Sequence, residues 1–207
     1  KLSRHCDDRC YTVESTDDGW MILIPHAPQG KIREGTLQWC SVIEQPLTDW
    51  LGQSRLIAPL ISSFGDQQVF NVAPTIGLPM CGQTAGQSGL GGWLIAGEQA
   101  ANLDPISGEG TPFSIRSAIL AAAVVEGIYH QRIAEDKALM HYQSRLSYTF
   151  IEHLKGCVGY YRPSFGHHPA WQQELARAEQ LASQLSEVAR PEQGIGGLRL
   201  VDGRLVE

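Results

Sequence analysis

Residues 93–123, reading WLIAGEQAANLDPISGEGTPFSIRSAILAAA, gather the side chains and glycines best suited to hold a ligand. Glu98 follows Gly97 at the end of a short apolar run. A carboxylate there can accept hydrogen bonds from sugar or ribityl hydroxyls, because ligands of open α/β sheets lie at the carboxyl ends of the strands. Pro105, Gly108, Glu109 and Gly110 form a second turn, whose glycines can take positive φ and let a planar or anionic group approach the backbone. Thr111 and Pro112 have the types of an N-cap and a first helical residue. Unpaired amides at such a helix start donate to a carbonyl or an anion. Glu109, beside the turn, is a candidate for acid–base work if a dry pocket raises its pKa, and equally for a cap or a salt bridge.

These residues need a strand before them and a helix after them. Residues 93–96 are a short apolar run expected to form a buried strand ending at Gly97. Residues 112–130 are almost uniformly apolar and predict a helix wedged against a sheet. Upstream, residues 10–14, 20–24 and 36–43 read as antiparallel strands joined by Asp17-Asp18-Gly19 and by a turn over residues 27–30. A helical pattern runs over 46–64, with Pro59 set to break or kink it, and residues 69–73 return to strand. Downstream, residues 136–155 carry Leu139, Tyr142, Gln143, Leu146, Phe150 and Leu154 near one helical face. Residues 170–189 carry a stripe of Trp171, Leu175, Ala178, Leu181, Ala182 and Leu185, of the kind that faces a core. The end, residues 198–206, alternates around Asp202-Gly203 as a hairpin.

The block resembles the second FAD-contacting motif of the flavoprotein monooxygenases of p-hydroxybenzoate hydroxylase type and of their relatives, the flavin-dependent halogenases and geranylgeranyl reductases. That motif reads apolar-x-G-D-A-A, then P-x-x-G-x-G, then a helix; Gly97, Ala100, Ala101, Pro105, Gly108 and Gly110 match it. The chain departs from it in having Glu98 where Asp is usual and Gln99 inserted in the short-side-chain run. The resemblance implies FAD as cofactor, with Gly97, Glu98, Pro105, Gly108, Glu109, Gly110 and Thr111 at the ribityl chain and the pyrimidine edge of the flavin. Residues 19–25, GWMILIP, resemble the W-x-W-x-I-P signature of the halogenases, with Ile22 in place of the second Trp. As residues alone they are a hydrophobic strand after an Asp-Asp-Gly turn.

The resemblance implies a fold of mixed α+β or α/β type, part of a Rossmann-like flavoprotein. Residues 1–85 would supply antiparallel substrate-domain strands and one helix, 86–135 the carboxyl-terminal part of the FAD domain, and 136–207 a helical region with a terminal hairpin. The G-x-G-x-x-G loop that cradles the ADP pyrophosphate of such proteins is missing: the Gly-rich stretch 86–92 precedes a strand where that loop must follow one. The chain is therefore expected to be the carboxyl-terminal half of an FAD-dependent oxidoreductase of monooxygenase type, inactive alone. Its partner would be an absent amino-terminal FAD/ADP-binding half, and its substrate a small-molecule or peptidyl aromatic compound. A halogenase-like enzyme and a non-catalytic module without FAD are the alternatives.

Composition bounds the remaining classes. The 207 residues are 43% hydrophobic and 18% charged, ordinary for a globular protein. A net charge of −6 argues against nucleic acid or an anionic membrane as the main partner. No apolar run reads as a membrane span. Five cysteines, Cys6, Cys10, Cys40, Cys81 and Cys157, without a secretion signal suggest reduced thiols and a cytoplasmic location. His5, Cys6 and Cys10 lack a second ligand pair at zinc-like spacing, so no metal is expected. His167-His168 could supply a base or ligand pair but fits better as the loop introducing the last helix. Tyr160, Tyr161 and Arg162 are candidate substrate contacts or a semi-exposed patch.

Overall fold

A computed structural model describes residues 1–7, 9–27, 33–43, 45–63, 94–188 and 197–206. Over these residues the protein is mixed α+β, with four α-helices and two small antiparallel sheets. No parallel, Rossmann-like sheet is formed among the described residues. The expected strand at 69–73, the Gly-rich stretch 86–92, Trp93, Cys81 and most of the turn 27–30 lie outside them. The chain divides into two compact units, one of Lys1–Pro74 with Ser164–Glu174, the other of Thr75–Pro163 with Leu175–Glu207.

The first unit is built on the meander β1 (Thr12–Ser15), β2 (Gly19–Pro25) and β3 (Gly35–Ser41), in the order β1-β2-β3. Alternation drives the pairing: Met21 and Leu23 of β2 point to one face and are buried with Trp50 and Ile57, while Ile24 is partly exposed. The Asp-Asp-Gly turn forms as expected, with Gly19 O accepting from both the amide and the hydroxyl of Thr16. Trp171 belongs to this unit; it stacks on Phe165 and donates its indole N–H to Asp18 O at 2.9 Å.

The helix expected over 46–64 is cut short. Helix α1 covers Leu47–Gln53, and a 3-10 turn follows at Ala58–Leu60. The reason is Glu14, buried on β1. Its carboxylate accepts from Ser54 Oγ at 2.6 Å and from the amides of Arg55, Leu56 and Ile57 at 2.6, 3.0 and 2.9 Å, donors that a continuing helix would need. Burial pushes the Glu14 carboxyl up, but these bonds together outweigh it and hold the group below its usual range.

The second unit is mainly helical: α2 (Gly110–Tyr129), α3 (Glu135–Phe165) up to Pro163, and α4 (Pro169–Val188) from Leu175, closed by the hairpin β4 (Arg199–Val201) and β5 (Arg204–Val206). The hairpin turn takes the predicted form, with φ of 47° at Asp202 and 74° at Gly203, the positive values that a type I′ turn requires. Leu175, Ala178 and Ala182 of the α4 stripe are buried, as are Tyr142, Leu146, Phe150 and Leu154 of α3; Gln143 faces solvent. Helix α3 runs on through Tyr160, Tyr161 and Arg162, ten residues beyond its expected end at 155.

Helix α2 is not buried all round. Phe113, Ser117, Leu120, Val124 and Gly127 face the core, whereas Ile115, Ile119, Val125 and Tyr129, the last 79% exposed, point outward. It is also the one helix among the described residues long and apolar enough by composition to cross a membrane. The sequence reading missed it because Arg116 and Glu126 interrupt the run.

Candidate functional site

The stretch 94–111 folds as two 3-10 turns leading into α2. Residues 94–96 form no strand among the described residues, in place of the expected one; Ala96 is extended, and the Ile95 carbonyl is taken by the Tyr142 hydroxyl at 2.7 Å. Gly97–Gln99 then turns, with Gly97 at φ 72°. The Gly97 amide donates to Ser117 Oγ at 2.8 Å, which ties this turn to α2. The second turn, Pro105–Ser107, is capped by Asp104, whose Oδ1 accepts from Ile106 N at 2.9 Å, and it closes on Gly108 at φ 64°.

Helix α2 starts two residues earlier than Thr111 and Pro112 suggest. Glu109 is the N-cap residue and its carbonyl accepts from Phe113 N at 2.8 Å, so Thr111 and Pro112 are helical. The proline is tolerated because first-turn amides have no intrahelical acceptor anyway. Gly110 is helical and not in the left-handed region; positive φ falls on Gly97 and Gly108. A Cβ at Gly108 would meet nothing within 4 Å, so the backbone there is open to an approaching group.

Glu98 and Gly110 are brought together: a Cβ on Gly110 would stand 3.7 Å from Glu98 Oε1. A carboxylate is thus held beside the positive end of α2, an arrangement worth about 0.3–1 kcal/mol to the helix. Glu98, Pro105, Gly108, Glu109 and Thr111 are exposed, and Gly97 and Gly110 half-buried. All seven sequence-predicted residues therefore lie along one turn–turn–helix edge. Glu109 pairs with Arg116 at 2.5 Å and makes no side-chain cap bond, so of its three anticipated roles the salt bridge is the one formed. This edge offers a ligand an acceptor at Glu98 and the first-turn amides of Gly110 and Thr111, which have no intrahelical acceptor. Nothing in it resembles a pyrophosphate cradle.

Beneath the Pro105 turn lies a cluster that sequence reasoning did not find. Asp104, 3% exposed, accepts from Tyr161 Oη at 2.7 Å through Oδ1, while its Oδ2 is buried without a hydrogen-bond partner. The Asp104 amide donates to His153 Nε2 at 2.9 Å, and Cys157 Sγ lies 3.4 Å from the same nitrogen. Because Nε2 accepts, His153 is the neutral Nδ1–H tautomer. Its ring stacks on Phe150. Burial holds the imidazole below its ordinary range, against the pull of the Asp104 and Glu109 carboxylates. The cluster borders a cavity of about 350 Å³ lined by Ile106, Ser107, Glu109, Tyr148, His153 and Tyr160, among others. Residues 153, 157 and 161 are spaced by four along α3, the signal that could have placed them on one face. Asp104 comes from 49 residues away in the chain.

Tyr161 is thus a buried structural donor and not a free substrate contact. Tyr160 is exposed at the cavity, and Arg162 pairs with Glu179. His168 Nδ1 accepts the Ala170 amide at the start of α4, the loop role anticipated for it. No group of three metal-ligating side chains occurs among the described residues, and none of the described cysteines forms a disulfide.

A pH dependence follows. His153 and His141 are both lowered, His141 by burial and by the neighbouring Arg145 charge. The unfolded chain therefore takes up more protons than the folded one once the pH falls below about 6.5. Their contribution to stability is complete above that pH and is lost as the pH drops through the lowered folded values. The thermal midpoint should fall by several degrees between pH 7.5 and 5.5, and His153→Gln, which keeps an acceptor for the Asp104 amide, should shrink that fall. A midpoint that is flat or rises on acidification contradicts the buried neutral imidazoles.

Comparison of the chain with protein-family models, curated proteins and solved structures finds no match. The functional reading therefore rests on the residues and their arrangement.

Proposed function

We propose that residues 97–111 form the ribityl- and ring-contacting half of a flavin site in an FAD-dependent oxidoreductase of monooxygenase type. The ADP end would be held by an amino-terminal half of the same enzyme. The observation that carries this reading is the meeting of the Glu98 carboxylate with the start of α2 at Gly110, on an exposed edge shaped by left-handed Gly97 and Gly108. A bound flavin would supply the redox chemistry and the activation of oxygen. The chain's own residues would bind and orient it: Glu98 accepting from a ribityl hydroxyl, and the Gly110 and Thr111 amides donating to the carbonyl edge of the ring. The α2 dipole would favour negative charge there.

The cavity beside the turn, with Tyr148 and Tyr160 at its walls, fits the expected aromatic substrate. A halogenase-like reaction draws less support, because Trp20 of the GWMILIP stretch is buried in β2.

The test is a fluorescence titration of FMN and FAD with the 207-residue chain. Because the donors described serve only the ring and ribityl portion, FMN and FAD should bind with affinities within about threefold of each other. Glu98→Ala should weaken both by about tenfold or more, the scale of one charge-assisted hydrogen bond. FAD binding far tighter than FMN would put an ADP site within this chain. Binding of neither flavin at millimolar concentration would remove the proposal.

A further inference from the structure

A second concave site lies in the helical unit, between α2, α3 and β4, and it is larger than the cavity beside the Pro105 turn. Its volume is about 560 Å³, within the range of about 300–1,000 Å³ usual for small-molecule sites. Its floor is apolar: Phe113 and Leu120 from α2, Leu146 from α3 and Leu198 before β4 are all buried. Its rim is cationic. Arg116, Arg145 and Arg199 line it above the buried His141, and no Asp or Glu does, although the whole chain carries a net charge of −6.

The three guanidinium groups are not equivalent. Arg116 is committed to Glu109. Arg145 and Arg199 have no carboxylate partner among the described residues, and both are exposed. Two exposed guanidinium groups at the rim of an apolar floor each present a planar fork matched to a carboxylate, so the groove pairs an anion-binding edge with an apolar bed.

We propose that this groove binds a small amphiphilic carboxylate, such as a medium-chain fatty acid, with its chain on the Phe113–Leu120–Leu146–Leu198 floor and its head group at Arg145 and Arg199. The site shares no residue with the turn–turn–helix edge assigned to the flavin, so the two proposals stand or fall separately. A concave, buried floor favours a single free ligand over a membrane surface, which would need its apolar residues to project.

Isothermal titration calorimetry of the full chain with sodium decanoate, below its aggregation concentration, tests this. One decanoate should bind per chain, at least tenfold more tightly than decanol or inorganic phosphate. Arg145→Gln with Arg199→Gln should weaken decanoate at least tenfold without changing the thermal midpoint, since both side chains are exposed. Leu200→Glu, a rim residue 42% exposed, should weaken it as well by adding a like charge. Equal binding of decanol would overturn the anionic head group, and equal binding of phosphate the apolar tail. Unchanged affinity in the variants would overturn the location. Sedimentation with phosphatidylglycerol vesicles in the absence of any decanoate binding would replace the proposal with a membrane surface.

Discussion

Gly19→Ala is expected to destabilise the first unit by about 3 kcal/mol or more, the upper range of overpacking costs. A Cβ at Gly19 would lie 2.1 Å from Cys40 O and 3.0 Å from the Trp50 ring. The first contact is with the backbone of β3, which is held in register by the pairs Gly19 with Ser41 and Trp20 with Cys40, so neither strand can yield without breaking the ladder. The second is with a side chain that is completely buried. Denaturant unfolding followed by tryptophan emission measures it, because Trp20, Trp50 and Trp171 all belong to this unit. Gly52→Ala is the control. Gly52 is exposed in α1, a Cβ there meets nothing within 4 Å, and helix propensity favours Ala by about 1 kcal/mol. Similar effects of the two substitutions would mean that α1 and β3 do not close on Gly19 as described.

Asp104→Ala should cost about 3 kcal/mol in the second unit. It deprives the Tyr161 hydroxyl of its acceptor in a fully buried position and removes the cap from Ile106 N, each a loss of about 1–3 kcal/mol. Asp104→Asn should cost markedly less. Its amide oxygen can keep both bonds, and its amino group would replace Oδ2, an atom with no partner to lose. Thermal unfolding with near-ultraviolet circular dichroism to follow Tyr161 distinguishes the two variants. At the proposed flavin edge, the Ala variant should also weaken flavin binding, because Gly108 and Glu109 follow directly from the turn that Asp104 holds. A midpoint for Asp104→Ala within a degree of the parent would show that the Asp104–Tyr161 bond contributes nothing.

Much of the local structure could be read from residues close together in the chain. The Asp17-Asp18-Gly19 and Asp202-Gly203 turns, the alternation of β2 and the α4 stripe were legible because turn type and amphipathic period depend on neighbours within a few positions. Pro59 signalled a break for the same reason. The exact stop of α1 at Gln53 was not legible, since it is imposed by Glu14, some forty residues earlier. Residues 94–96 have the apolar sequence of a strand but no neighbour among the described residues to pair with, and pairing is a property of two segments. The cap of α2 moved to Glu109 because a left-handed Gly108 brings the chain into helix sooner than the Thr-Pro pair suggests.

For the sites the division is the same. By itself the sequence determined which residues form the candidate flavin edge, because its glycines, its proline and Glu98 lie within fifteen consecutive positions and their backbone preferences are local. Only the tertiary structure decided that Glu98 stands against the start of α2, that Asp104 meets His153 and Tyr161, and that Arg145 and Arg199 share one groove. Those are meetings of polar and charged groups distant in the chain, fixed by how α2, α3 and the hairpin pack, and no local preference encodes them.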